Sequence, residues 1–175
     1  MFDHTKFVIG FILFLSLNII HNNYFQKNIL KLRHRWLFNI LNNFIVMATI
    51  NYSWIGKKVL IVEDDRVNLM MVKLFLSTTG ITIFNANNGD EAIEVNNNEK
   101  PDIILMDIRM PGMDGLDATR IIRVTDKVVP IIAVTAFAMP NDEEVAMAAG
   151  CSAFITKPYN KNFLMQRMNH LLGFE

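Results

Sequence analysis

Two apolar runs in this chain end on carboxylates where packing alone offers them no place. "KVLIVEDD" closes on Glu63, Asp64 and Asp65, and "IILMDIRMPGMDG" sets Asp107 directly after four apolar residues and ahead of a Pro-Gly pair. A buried carboxylate is costly unless it is paired, hydrogen-bonded or bound to a metal. Clustered acids repel one another and resist ionising together. A hard cation such as Mg2+ relieves that conflict by taking carboxylate oxygens, with waters and phosphate oxygens completing its shell. Two further apolar runs end on polar residues of another kind. Thr135 follows "PIIAV", and Lys157 follows "SAFIT" with Pro158 behind it. An ammonium suits a phosphate, and a hydroxyl can donate to one. An aspartate can itself be the nucleophile and become an aspartyl phosphate. These residue types fit phosphoryl transfer, in which catalysis is mostly positioning and charge neutralisation. Asp107 then ends its run because it meets both the metal and the incoming phosphoryl group.

Each residue taken singly has a plainer reading: a turn or helix cap for an acid, a solvated lysine, a strand-end hydroxyl. What brings them together is the order of elements. "KVLIVE", "ITIFNA", "DIILMD", "PIIAVTA" and "SAFITKP" read as five short strands. "RVNLMMVKLFLSTTG", "GDEAIEVNNN", "MDGLDATRIIRV", "NDEEVAMAAG" and "NKNFLMQRMNHLLG" read as the helices after them. In the first helix, Val67, Met70, Met71, Leu74 and Thr78 recur at helical spacing, and in the last Leu164, Met168 and Leu171 do so. Gly80 and Gly150 act as stops, and Asn96 to Asn98 read as a polar helix end. The methionines at 70, 71 and 168 read as core or interface filling, and Asp102 and Asp117 as cap or surface residues. Strands alternating with helices predict an α/β fold of the doubly wound, flavodoxin-like kind, a five-stranded parallel sheet covered on both faces. In such sheets ligands bind beyond the carboxyl ends of the strands. Glu63, Asp64, Asp65, Asp107, Thr135 and Lys157 all fall there.

Charge separates the chain into two unlike parts. Residues 1–46 carry five Lys/Arg against one acid, and residues 47–175 carry 12 against 16. The mildly acidic main part argues against direct nucleic-acid binding. One cysteine, Cys151, excludes an intrachain disulfide and fits a reducing, cytoplasmic setting. The run Phe7 to Ile20, "FVIGFILFLSLNII", is uncharged but has only 14 residues, whereas a spanning helix takes about 20. Residues 1–46 are therefore read as an amino-terminal extension. It is in-frame sequence upstream of a start at Met47, a membrane anchor whose basic cluster at Lys27, Lys31, Arg33 and Arg35 would face the cytoplasm, or an amphipathic or partner-binding helix.

The stretches "VLIVEDD", "IILMDIRMPGMDG", "IIAVTA" and "AGCSAFITKP", in that order and spacing, resemble the receiver domain of two-component response regulators. The resemblance covers about Lys57 to Leu172, within a domain taken as 57–175, and implies sheet order 2-1-3-4-5. It makes Asp107 the phospho-acceptor. It gives the Mg2+ site, which Mn2+ could also fill, to Glu63, Asp64, Asp107 and the backbone carbonyl of Arg109. Asp65 is then a more variable neighbour. Thr135 becomes the switch hydroxyl, Ala136 a small residue beside the pocket, and Lys157 the partner of the phosphoryl group. Pro158 follows a cis bond, and Phe154 is the aromatic whose rotamer follows the switch. The implied phosphoryl donor is a histidine kinase or phosphotransfer protein. The implied role is signalling rather than enzymatic, with self-catalysed phosphoryl transfer and dephosphorylation. The output protein is unnamed, and the face of the fourth and fifth strands and their helices is where a homodimer would form. The chain reads as a stand-alone receiver or the receiver end of a hybrid kinase.

Other classes fit less well. A haloacid-dehalogenase-type phosphatase needs a second aspartate where Arg109 stands. A nucleotide- or flavin-binding protein needs a Gly-rich loop where "EDDRVN" stands. An unphosphorylated pseudo-receiver acting only as an interaction module is the remaining alternative, and the complete set of acids, Thr135 and Lys157 speaks against it.

Overall fold

A computed structural model describes residues 52–136, 139 and 141–174. The proposed extension 1–46, with the Phe7 to Ile20 run, lies outside them. Five strands alternate with five helices: β1 Lys58–Val62, α1 Arg66–Leu76, β2 Thr82–Ala86, α2 Gly89–Glu99, β3 Ile103–Asp107, α3 Gly115–Thr125, β4 Ile131–Thr135, α4 Asp142–Ala149, β5 Ala153–Thr156 and α5 Lys161–Leu171. The sheet is wholly parallel, in the order β2-β1-β3-β4-β5. The inner strands β3 and β4 are buried along their whole length, and the edge strand β2 is mostly not. That difference matches the continuous apolar runs of the inner strands, which are covered on both faces.

Alternate residues of each strand feed two cores. Val59, Ile61, Ile103, Leu105, Ile132, Val134 and Ile155 meet α1 and α5 through Val72, Leu76, Leu164, Met165 and Met168. Leu60, Val62, Ile104, Met106, Ile131 and Ala133 meet α2, α3 and α4 through Ala92, Ala118, Ile122 and Ala146. Trp54, ahead of the expected domain start at Lys57, is fully buried and donates through Nε1 to Asn169 of α5 at 3.0 Å. The fold therefore takes in chain upstream of that boundary.

The structure settles the helix faces that spacing left open. The spacing that singled out Val67, Met70 and Leu74 marks the solvent side of α1, where they are 75%, 73% and 68% exposed. The helix packs instead through Val72 and Leu76, with Leu69 and Phe75 partly buried. α1 is apolar nearly all round, so spacing alone cannot choose its inner face. Of the named methionines, Met168 is core and Met70 is not. Asn96 to Asn98 do form the last turn of α2, with Asn97 and Asn98 exposed, but Asn96 is fully buried on the Ala92 side, and its amide has no hydrogen-bond partner among the described residues. Asp102 has a structural role, accepting from Lys57 Nζ at 3.0 Å and the Lys58 N–H at 2.8 Å to lock the start of β3 to that of β1. Burial works to raise its pKa, but these donors outweigh burial and hold it below the ordinary value. Asp117 lies at the surface, bonded to Arg120, and Asp114 rather than Asp117 caps α3. Among the described residues, no helix is long and apolar enough to cross a membrane.

Candidate functional site

Three carboxylates converge beyond the ends of the adjacent strands β1 and β3. One oxygen each from Glu63, Asp64 and Asp107 lies within 4.8 Å of the others. Glu63 and Asp107 are buried and Asp64 is exposed, so the cluster opens to solvent on one side. Lys157, after β5, spans β4 to reach the cluster. Its Nζ donates to Glu63 Oε2 at 2.7 Å and Asp107 Oδ2 at 2.6 Å. The second oxygen of Asp107, Oδ1, accepts the Arg109 N–H at 3.0 Å, and the second of Glu63, Oε1, accepts Asn68 Nδ2 at 3.0 Å.

The electrostatics follow from burial and from these contacts. Burial pushes the Glu63 carboxyl above its ordinary value. The bonds from Lys157 and Asn68 work against the rise without cancelling it, and the Asp107 charge adds to it. Burial also opposes the Lys157 ammonium, but Asp107 and Glu63 outweigh burial and hold the amine above its ordinary value. Lys157 is therefore a firmly charged cation between two acids. Tyr159, packed against the α1/α5 core two residues on, has its phenol pushed up to about 12 by burial.

Three acids against one lysine leave the cluster with excess negative charge. Its donors are all hard oxygens, two of them buried. Such a set fits a small hard divalent cation, held by Glu63, Asp64 and Asp107.

The remaining expected residues divide. Thr135 is buried at the end of β4, and its carbonyl accepts the Lys157 N–H at 2.7 Å, tying these two positions together. Ala136 follows, exposed. The Lys157–Pro158 peptide is cis, and Pro158 is exposed. Phe154 pairs in register with Ala133, two residues before Thr135, and packs half-buried on the α2–α4 side of the sheet. The Arg109 side chain is exposed. Asp65 stands apart from the acid cluster: its Oδ1 accepts the Asn68 N–H at 2.8 Å and caps α1.

Two supports were not foreseen from the sequence. Asn68 escapes a search for charge because an amide carries none. Gly115 begins α3, and a methyl there would run into the Asp107 carbonyl oxygen. Its signal in the sequence was the second glycine of "PGMDG", a spacing that lets α3 pass directly beneath the end of β3.

Comparison with known proteins adds to this geometry. Residues 59–169 match the family model of the response regulator receiver domain. The polar-differentiation response regulator DivK of Brucella anthropi is 37% identical over 119 residues, covering 67% of this chain and 97% of that protein. DivK of Brucella ovis is 35% identical over the same coverage. Among solved structures, the receiver domain of a sensor histidine kinase from Pseudomonas aeruginosa, with a magnesium ion coordinated in its active-site cleft, superposes with TM-score 0.63 at 34% identity. The match spans 67% of this chain and 98% of that one. The BeF3-activated receiver domain of RstA from Klebsiella pneumoniae superposes with TM-score 0.64 at 29% identity, over 67% and 99%.

Proposed function

Because this chain belongs to the response regulator receiver domain family, we propose that it is a phosphorylation-activated switch of two-component or phosphorelay signalling, with Asp107 as the acceptor. The observation that carries the proposal is the bridge of Lys157 to Glu63 and Asp107, at 2.7 and 2.6 Å, beside the three converging carboxylates. A structural ion pair needs one acid. Two acids sharing one lysine, with a third acid beside them at the carboxyl ends of parallel strands, suit a cation and a phosphoryl group.

In the proposed reaction the donor is a phosphohistidine on a histidine kinase or phosphotransfer protein. An oxygen of Asp107 attacks phosphorus, the new O–P bond forms, and the P–N bond to the donor imidazole breaks. The Arg109 N–H holds Oδ1 of Asp107 and so limits how the carboxylate can turn. Mg2+, held by Glu63, Asp64, Asp107 and the Arg109 carbonyl, supplies charge neutralisation when bound. Lys157 keeps its proton and shifts from carboxylate to phosphoryl oxygens, a charge-assisted contact of the same kind. Thr135, at the end of the strand beside β3, donates its hydroxyl to the same group. Phe154 turns inward as Thr135 moves, and the β4–α4–β5–α5 face changes its affinity for an output partner. We also assign the donor protein to the exposed apolar stripe of α1, because that stripe starts at Val67, three residues after Asp64.

The test is the intact mass of the chain after incubation with Mg2+ and acetyl phosphate. One phosphoryl group should add, be lost in mild base, and be absent from Asp107→Asn. If no adduct forms with acetyl phosphate or with any phosphorylated kinase in a panel, the switch reading falls and the chain is an interaction module.

A further inference from the structure

Glu63 is held at both carboxylate oxygens, and only one of its two holders is charged. Lys157 Nζ takes Oε2 at 2.7 Å, and Asn68 Nδ2 takes Oε1 at 3.0 Å. Asn68 is itself fixed from the backbone, since its N–H donates at 2.8 Å to Asp65, the N-cap of α1. The capped first turn of α1 thus aims an amide at the acid cluster. Only the NH2 end of that amide can face a carboxylate oxygen.

The two holders act differently. A glutamate has one more rotatable bond than an aspartate, so its carboxylate has more freedom to lose on ordering. Asn68 removes that freedom without adding charge. Lys157 also removes it, but its positive charge competes with a divalent cation for the same oxygens. Lys157 must in addition move when Asp107 carries a phosphoryl group. The Asn68 side chain donates to Glu63 and, among the described residues, makes no other hydrogen bond.

We propose that Asn68 is a positioning residue of the cation site, holding the Glu63 carboxylate in place for a divalent ion and keeping it there when Lys157 turns to the phosphoryl group. The proposal rests on the receiver reading for the existence of that site. It links α1 to the chemistry through a hydrogen bond from an uncharged donor that spans five residues, Glu63 to Asn68.

The experiment is calorimetric titration of the full chain with Mg2+, without any phosphoryl donor. The proteins are wild type, Asn68→Leu, Asn68→Ala, Glu63→Gln, the Asn68→Leu/Glu63→Gln double variant and Asp107→Asn. Partners that orient a metal ligand typically change affinity 10–100-fold, so Asn68→Leu and Asn68→Ala should each weaken Mg2+ binding about tenfold. Once Glu63 is a glutamine there is no carboxylate left to position, and adding Asn68→Leu should cost less than about twofold more. Mg2+ affinity within about twofold of wild type in both Asn68 variants would overturn the proposal. A tenfold loss that persists undiminished in the Glu63→Gln background would overturn it too, because Asn68 would then act through the helix and not through Glu63. If the wild-type chain shows no Mg2+ binding of the kind that Asp107→Asn abolishes, the failure is a different one, overturning the proposed switch and this proposal together.

Discussion

At the scale of single residues, the site is a balance in which Lys157 does the work a cation would otherwise do. Its side chain is 14% exposed, and its ammonium meets two acids whose side chains are 5% and 7% exposed. Replacing it in Lys157→Met leaves two buried carboxylates facing each other. Breaking a buried pair from one side typically costs about 3–5 kcal/mol. Denaturant unfolding without Mg2+ should show a loss near the low end of that range, because Asp64 keeps the cluster open to solvent. The same substitution removes a competitor for the carboxylate oxygens, so Mg2+ should bind Lys157→Met more tightly than wild type. Loss of stability with gain of metal affinity separates this role from a packing role, which would lower both. Tyr159 gives a residue-level prediction in pH. Its folded value is about 12 against an ordinary 10. Between those values the unfolded chain has released the proton while the fold retains it, so stability falls as pH rises through that window. The absorbance titration of wild type minus that of Tyr159→Phe should have its midpoint near pH 12 and not near 10. Charged residues at strand ends were legible in the sequence because acids and lysines seldom close apolar runs without a reason. Asn68 and Tyr159 were not, since an amide and a phenol fit anywhere on a half-buried surface.

At the scale of elements, what the sequence conveyed was the existence and order of strands and helices, not the rotation of each helix. Strand ends matter here because those of β1, β3 and β4 lead into the proposed site, and the apolar runs "KVLIV", "IILM" and "IIAV" mark them within a residue. Helix faces are harder where apolar residues surround the axis. Val67, Met70 and Leu74 obey the same period as a core stripe, yet they face water, and Val72 and Leu76 face the sheet. Asn96 is the reverse case, a polar residue inside the core face of α2. An exposed apolar stripe on an ordered helix marks an interaction surface. This one begins at Val67, three residues after Asp64, and is the surface proposed above for the donor protein. Met70→Glu places a charge in the centre of the stripe without touching the site. Transfer from a phosphorylated donor protein should slow by about tenfold or more, the effect of one central apolar anchor. Phosphorylation by acetyl phosphate should be unchanged. Equal slowing with both donors would mean that the substitution had disturbed the site and not a docking surface.

At the scale of the whole molecule, the fold has two rims with separate duties. The carboxyl rim gathers residues that are remote in sequence: Lys157 and Glu63 are 94 positions apart and 2.7 Å from each other. Sheet order does this, since β1, β3 and β4 sit side by side and β5 lies next to β4. The amino-terminal rim is held by a residue that no motif announces. The half-buried Arg123, near the end of α3, donates to the carbonyls of Gly150, Asp126 and Val129 at 2.8, 3.0 and 2.7 Å. It thereby ties α3 to the segments that enter β4 and β5. Burial lowers its pKa, with the Asp126 charge opposing, and no carboxylate accepts a hydrogen bond from its guanidinium among the described residues. Its donors meet only backbone, which is why charge pairing in the sequence could not reveal it. Arg123→Met keeps the apolar stem and strips three donors from half-buried carbonyls. Because Arg123 is only half-buried, each bond is taken at the ordinary net value of about 1 kcal/mol, and unfolding should cost roughly 3 kcal/mol less. The acid cluster lies at the other end of the strands and shares no hydrogen bond with Arg123. If the two rims are independent, distant changes add, and the Mg2+ dissociation constant of Arg123→Met should stay within about twofold of wild type while its unfolding midpoint drops. A matching loss of metal affinity would mean that the base of the sheet sets the geometry of the site, through the segments that position β4 and β5.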